Sequence, residues 1–405
     1  MRHSSFVLTL VCAALLAACD GASSPTAAPP APLLSSAGAV AGDYIVVLHR
    51  GVEPRGVAAA AGASPRHVYT AALSGFAARL TDAQLSALRH NPRVAYVEAD
   101  AWGRVATTQA NATWGLDRID QRDLPLSTTY GYTATGATVN LYVLDTGIRR
   151  THVEFAPAGR AQYIPNGKNG DFVGDRQGRR SGALDCHGHG TQVAGVAGGV
   201  TWGAAKQVKL WAGRVISCDG GGAASTSIAA IDWLTASAAR PAVVNMSLAY
   251  GNVQSLRDAV DASVAAGIHY VVAAGNGTSD LHVPMDACTE APGGAANAIT
   301  VGATDRFDAE GYFSNYGPCV DLLAPGVDVT TADDDSDTDQ VTTVGTSVAS
   351  PYVAGVVAMY LQTNPTATPA QVRTALTAAA TPGRITFHAQ SAAGGTPNLL
   401  LFTSY

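Results

Sequence analysis

Val139-Asn140-Leu141-Tyr142-Val143-Leu144-Asp145-Thr146-Gly147 is an apolar run of strand length that stops on a carboxylate and a turn. Continuous apolar character predicts a strand buried on both faces, as in a parallel sheet. Val208–Val215, Ala242–Leu248, Ile268–Ala274 and Ile299–Ala303 repeat the pattern, and Ser225–Ala239 and Val253–Ala266 between them carry helical spacing. This alternation predicts an α/β fold, a parallel sheet with helices on both faces. Such sheets bind ligands beyond the carboxyl ends of their strands. Asp145 ends the first strand, Ser247-Leu248 the third, and Asn276 follows the fourth, so topology alone gathers them at one edge.

A carboxylate at the end of a buried strand needs a partner such as an imidazole N–H. His189-Gly190-Thr191 opens a glycine- and alanine-rich helix over Thr191–Gly199, and Gly345-Thr346-Ser347-Val348-Ala349-Ser350-Pro351 precedes one running from Val348 towards Leu361. A serine is a weak nucleophile unless a base takes its proton and a carboxylate orients that base. At a helix N-terminus, the Ser347 N–H and the helix dipole also favour developing negative charge. Singly, the motifs have plainer readings: a turn-capping Asp145, an N-cap Ser347, an Asn276 in a left-handed turn before Gly277. Together, in the order Asp…His…Ser, they point to nucleophilic hydrolysis.

From about Trp114 onward the chain resembles the subtilisin-like serine proteases, most closely the proteinase K and aqualysin branch. Trp114-Gly115-Leu116-Asp117-Arg118-Ile119-Asp120-Gln121-Arg122-Asp123, Asn245-Met246-Ser247-Leu248, Ala273-Ala274-Gly275-Asn276 and Phe313-Ser314-Asn315-Tyr316-Gly317 carry the likeness. It implies a subtilisin-like fold, with Asp145, His189 (rather than His187) and Ser347 as the triad and the Asn276 amide as an oxyanion donor. It implies that Ser247-Leu248-Ala249 and Gly220-Gly221-Gly222 flank an extended peptide, with Ala274 and Gly275 beside them. The specificity pocket would take apolar and aromatic side chains, its depth left open because Ala249-Tyr250 replace Gly-Gly. Catalysis would need no cofactor. Structural calcium would sit on Asp321 with the carbonyls of Ala296 and Ala298, and in part on Asp117, Asp120 and Gln121, where Ser127 replaces a carboxylate. Gln192, Val348 and Tyr352 stand where relatives carry His, Met and His. Asp333-Asp334-Asp335 reads as a solvated loop.

The 405 residues carry a net charge of -6 without a basic run, which argues against nucleic acid as a partner. Residues 1–18 read as a signal peptide: Arg2 precedes the apolar run from Phe6 to Ala18, too short to span a bilayer. Leu16-Ala17-Ala18-Cys19 resembles a lipobox, in which Cys19 is lipidated; an ordinary secretory signal is the alternative. Residues 19–42 form an Ala/Pro/Ser-rich linker. Over 43–103, strands at Tyr44–Leu48, Gly75–Leu80 and Val94–Glu98 and a helix capped at Thr81-Asp82 make a small α+β unit of ferredoxin-like type. It resembles the inhibitory propeptide of the same proteases. Cleavage near Val105-Ala106 would release a catalytic domain of residues 107–405, expected to be extracellular, monomeric and free of the membrane. Its partners would be protein and peptide substrates and its own propeptide; a lipid on Cys19 would anchor only the precursor.

Cys12 goes with the signal, leaving Cys186, Cys218, Cys288 and Cys319, which allow three connectivities in an oxidising compartment. The resemblance selects Cys186–Cys218 and Cys288–Cys319. A zinc reading of Asp185-Cys186-His187-Gly188-His189 lacks a second Cys/His pair. Two rival functions remain. An ester-cleaving α/β hydrolase would need a Gly-x-Ser-x-Gly elbow and another triad order. A non-catalytic peptide-binding relative would not need all four catalytic positions filled.

Overall fold

In the computed structural model, the apolar run before Thr146 forms β1, Asn140–Asp145, with every residue buried. Residues 29–35, 39–101, 107–174, 182–278 and 282–405 are described. The signal peptide, Cys19, most of the linker and the bond at Val105-Ala106 lie outside them.

The chain divides into Met1–Gly103 and Arg104–Tyr405. Among the described residues, the second unit is built on a nine-stranded sheet: β1, β2 (Ala161–Tyr163), β3 (Lys209–Arg214), β4 (Ala242–Met246), β5 (His269–Ala273), β6 (Ile299–Thr304), β7 (Leu322–Pro325), β8 (Thr381–Pro382) and β9 (Leu399–Leu400). They lie in the order β8-β9-β7-β6-β5-β4-β1-β3-β2, and only the β8–β9 pair is antiparallel. Along β1, Leu141 and Val143 enter one apolar core and Tyr142 and Leu144 the other. That two-residue period makes a strand serve two cores at once.

Helices α1 (His189–Gly198) and α4 (Thr346–Thr363) cover one face; α2 (Ala224–Ser237) and α3 (Gln254–Ala265) cover the other. A fifth helix, α5 (Pro369–Ala379), starts from a Thr368–Gln371 capping box. Helix α4 is buried nearly all round, which marks a core helix. Gly355 lets it approach α1, because a Cβ there would lie 2.7 Å from the Ala197 carbonyl oxygen. The chain leaves β1 towards β3 but leaves β4 towards β5, opening a crevice at the carboxyl ends of β1 and β4.

In the first unit, a five-stranded sheet orders Leu33–Leu34, Val94–Ala101, Ala39–Leu48, Gly75–Arg79 and Pro65–Tyr69, with helices over Pro54–Ala60 and Asp82–Arg89. The reading of the sequence lacked the Pro54–Ala60 helix and the Pro65–Tyr69 strand. Glu53 caps that helix by accepting from the N–H groups of Arg55 and Gly56, and Pro54 is its first residue. Among the described residues no helix is long and apolar enough to cross a membrane.

Candidate active site

The crevice brings Asp145 and His189 together from the end of β1 and the start of α1. His189 Nδ1 lies 2.8 Å from Asp145 Oδ1, which also accepts the Thr146 N–H at 2.7 Å. Asp145 is fully buried. Burial works to lower the His189 pKa, but the Asp145 charge and hydrogen bond, with Asp185 behind them, prevail and raise it.

Asp185, which sequence reasoning considered only as a zinc neighbour, braces this pair. Its Oδ1 accepts from the Thr146 hydroxyl at 2.8 Å and from the His187 and Gly188 N–H groups; its Oδ2 accepts from the Thr191 N–H and hydroxyl. The Thr146 hydroxyl oxygen in turn accepts the Gly190 N–H at 2.9 Å. One buried carboxylate thus holds the turn after Asp145 against the helix start that carries His189. An aspartate four residues before a helix start was the available signal.

Ser347 is the second residue of α4, after Thr346, with Gly345 as N-cap at φ 146°, a backbone region few other residues adopt. Asn276 Oδ1 accepts both the Thr346 N–H (2.8 Å) and the Thr346 hydroxyl (2.7 Å), which leaves Nδ2 as the donor end of its amide. A Cβ on Gly345 would lie 2.7 Å from Ser347 Oγ and 3.2 Å from Asn276 Nδ2, so the hydroxyl and the amide border one small space. The Ser347 N–H makes no hydrogen bond to another described residue. No hydrogen bond joins His189 to Ser347 either; such contacts commonly tighten only around substrate.

Pro351 sits four residues after Ser347 and has no N–H for the Ser347 carbonyl. The Ser247 hydroxyl donates to that carbonyl instead, at 2.7 Å, and its oxygen lies 2.9 Å from both Asn245 Nδ2 and Ser350 Oγ. Ser247, expected to flank substrate, lines the cavity beside Ser347 and gives its hydroxyl to the turn that carries Ser347.

A cavity of about 270 Å³ opens beside Ser347, lined by Leu248, Ala249, Ala273, Gly275, Asn276 and His282 among others. Ala274 does not line the cavity; it is fully buried, and Ala273 takes its place. Gly220-Gly221-Gly222 lies outside the cavity in an exposed turn, where Ser217 and Gly221 hydrogen-bond to Asp219. Tyr250 does not reach the cavity either: its hydroxyl meets Ser227 of α2 at 2.8 Å. His282, absent from the expected set, stands at the rim with Nδ1 3.2 Å from the Asn276 carbonyl oxygen. The acidic run is a partly exposed loop that is also tethered. Asp333 accepts from Gln192 at 3.1 Å, and Arg149 reaches the Asp334 carbonyl (2.8 Å) and Asp337 (2.7 Å).

The disulfides are Cys186–Cys218 and Cys288–Cys319, with Cα separations of 5.1 and 5.3 Å. The first leaves no Cys186 thiolate for zinc. The expected calcium positions divide. Asp321 and the Ala296 carbonyl are both engaged by the Arg373 guanidinium, so that set does not fit a metal ion. At the other set, Ser127 and Thr128 donate to Asp117, and Gln121 turns its amide N–H groups to the carbonyls of Asp123 and Pro125. Asp120 Oδ2 accepts the Gly131 N–H, while buried Oδ1 has no partner among the described residues. Burial and the neighbouring Asp117 push the Asp120 pKa up to about 6.

The subtilase family profile matches residues 136–398, and that of the I9 peptidase inhibitors matches residues 43–104. The extracellular serine proteinase of Thermus sp. (strain Rt41A) is 47% identical over 361 residues, covering 87% of this chain and 83% of that protein. The alkaline serine exoprotease A of Vibrio alginolyticus is 42% identical over 328 residues, covering 79% of this chain and 57% of its own. A crystal structure of a cold-adapted subtilisin-like serine proteinase superposes with a TM-score of 0.65 at 40% identity, over 73% of this chain and all of that one. The chain belongs to the subtilase family as a subtilisin-like serine proteinase preceded by an I9-type inhibitor segment.

Proposed function

We propose that this chain is an exported serine endopeptidase in which Ser347, His189 and Asp145 form the triad and Asn276 stabilises the oxyanion. The observation that carries the reading is the 2.8 Å Asp145–His189 hydrogen bond, at the strand edge where Ser347 and the Asn276 amide share one space. Ser347 Oγ attacks the scissile carbonyl carbon as His189 Nε2 takes its proton. The negative charge on the former carbonyl oxygen meets Asn276 Nδ2 and the Ser347 N–H, donors fixed before reaction begins. His189 then protonates the leaving amine, and water, activated by the same imidazole, hydrolyses the acyl-enzyme. Asp145 keeps Nδ1 protonated throughout.

The cavity walls of Leu248, Ala249, Ala273 and Gly275 favour an apolar or aromatic side chain before the cleaved bond. Residues 43–103 act as inhibitor, bound non-covalently after the enzyme cuts near Val105-Ala106 until they are degraded, leaving residues 107–405 as a monomeric extracellular protease. A lipid on Cys19 would then hold only the precursor at a membrane. Calcium enters as a structural ion at Asp117, Asp120 and Gln121, where the unpartnered Asp120 Oδ1 suits a hard cation.

Mass spectrometry of peptides released from a denatured protein, with a serine-directed fluorophosphonate as control, tests this. Cleavage abolished by the label and by Ser347→Ala is expected. Label incorporation without peptide products would replace the endopeptidase with an esterase, and no labelling with a non-catalytic binder.

A further inference from the structure

Arg373 projects from α5, which buries Val372 and Leu376 against the sheet unit. Its Nε lies 2.6 Å and its Nη2 2.5 Å from Asp321 Oδ1, and its Nη1 donates to the Ala296 carbonyl at 2.8 Å. Asp321 stands just before β7, is 7% exposed, and accepts the Thr300 N–H at Oδ2. The loop bearing Ala296 is separately pinned, since Asp261 of α3 accepts the N–H groups of Ala296 and Asn297.

A buried carboxylate facing a backbone carbonyl is an oxygen set that calls for positive charge. Here a guanidinium supplies it, with two donors converging on one carboxylate oxygen and a third N–H for the carbonyl. A dication on the same oxygens would sit within a few ångströms of that fixed positive charge and be repelled. Burial pushes the Asp321 pKa up, and the Arg373 charge works against that shift.

We propose that Arg373 takes the place of a metal ion, fastening α5 to the β6–β7 edge with a cation the chain carries itself. That corner then keeps its stability when free calcium is scarce. Removing the guanidinium should turn the corner into a divalent-cation site, because Asp321 and Ala296 would be left without positive charge.

The test uses the full chain carrying Ser347→Ala, which prevents self-digestion, with Asp120→Asn added so that the second acidic position does not respond. Thermal unfolding is followed in EDTA and in excess calcium, with terbium luminescence reporting bound ion. The parent should show the same Tm in both and no terbium signal from this corner. Arg373→Ala should lower Tm by roughly 5 °C in EDTA, recover most of it in calcium, and bind one added terbium ion that Asp321→Asn abolishes. Arg373→Lys, which keeps the charge, should remain indifferent to calcium. A parent whose Tm depends on calcium through Asp321 would overturn the proposal. So would an Arg373→Ala protein that calcium does not restore, leaving only an ordinary ion pair.

Discussion

Replacing Ser247 with Ala should cost more stability while Pro351 is present than after Pro351→Ala. The Ser247 hydroxyl donates at 2.7 Å to the Ser347 carbonyl, which lacks its helical donor because residue 351 has no N–H. Ser247→Ala alone leaves that carbonyl buried and unpaired, a loss of about 1–3 kcal/mol. Pro351→Ala restores an N–H one helical turn on, so Ser247→Ala in that background should cost about 1 kcal/mol less. The coupling is the difference between the two costs, and it exceeds the scatter of about 0.3–0.5 kcal/mol seen for independent sites. At about 2–4 °C per kcal/mol for a domain approaching this size, it reads as a Tm difference of a few degrees. Four proteins, all blocked with a serine-directed inhibitor, are melted at one scan rate. Matching Tm losses in the two backgrounds would refute the view that Ser247 replaces the missing N–H.

Because Asp145 and Asp185 outweigh burial and raise the His189 pKa above its usual 6.5, the acid limb of kcat/KM should lie above that value, activity falling as pH drops through it. Asp145→Asn should move that limb down and lower kcat by about 10⁴, measured on a chromogenic peptide across pH. Ser347→Ala, expressed alone, should accumulate as uncut precursor on a denaturing gel; normal maturation of that variant would remove self-processing from the reading. With its pKa raised to about 6, Asp120 contributes stability in full at low pH and loses it as pH rises through that value. Asp120→Asn should therefore raise Tm at about pH 8 in EDTA and change little at about pH 4. Added calcium should raise the wild-type Tm more than the variant's.

What was legible in the sequence was whatever lay in short, continuous signals. The strands at Asn140–Asp145, Lys209–Arg214 and Ala242–Met246 were visible because doubly covered strands carry near-continuous apolar runs. The Asp145–His189 pairing followed from a carboxylate ending such a strand. Contacts between distant positions were not legible. Arg373 meets Asp321 across 52 residues and Gln192 meets Asp333 across 141, and nothing local to either pair announces the other. The Pro54–Ala60 helix was lost because its buried side is only Pro54, Val57 and Ala58, too small for a periodic signal. The replacement of Gly-Gly by Ala249-Tyr250 left the pocket depth open, and only the hydrogen bond to Ser227 revealed that Tyr250 turns to α2.

On the proposed mechanism, Thr346 ties two parts of the reaction to one side chain. Its N–H and hydroxyl both hold Asn276 Oδ1, and its hydroxyl oxygen also accepts the Gly275 N–H at 3.2 Å, while its backbone leads directly into Ser347. A substitution there would displace the attacking group and the oxyanion amide in a single step. Selection acting on this enzyme therefore meets the two as one inherited trait: neither can drift at this position without carrying the other. On the same reading, variation that retunes substrate preference is left to the cavity rim, where His282 and Ala249 can change while the turn stays as it is.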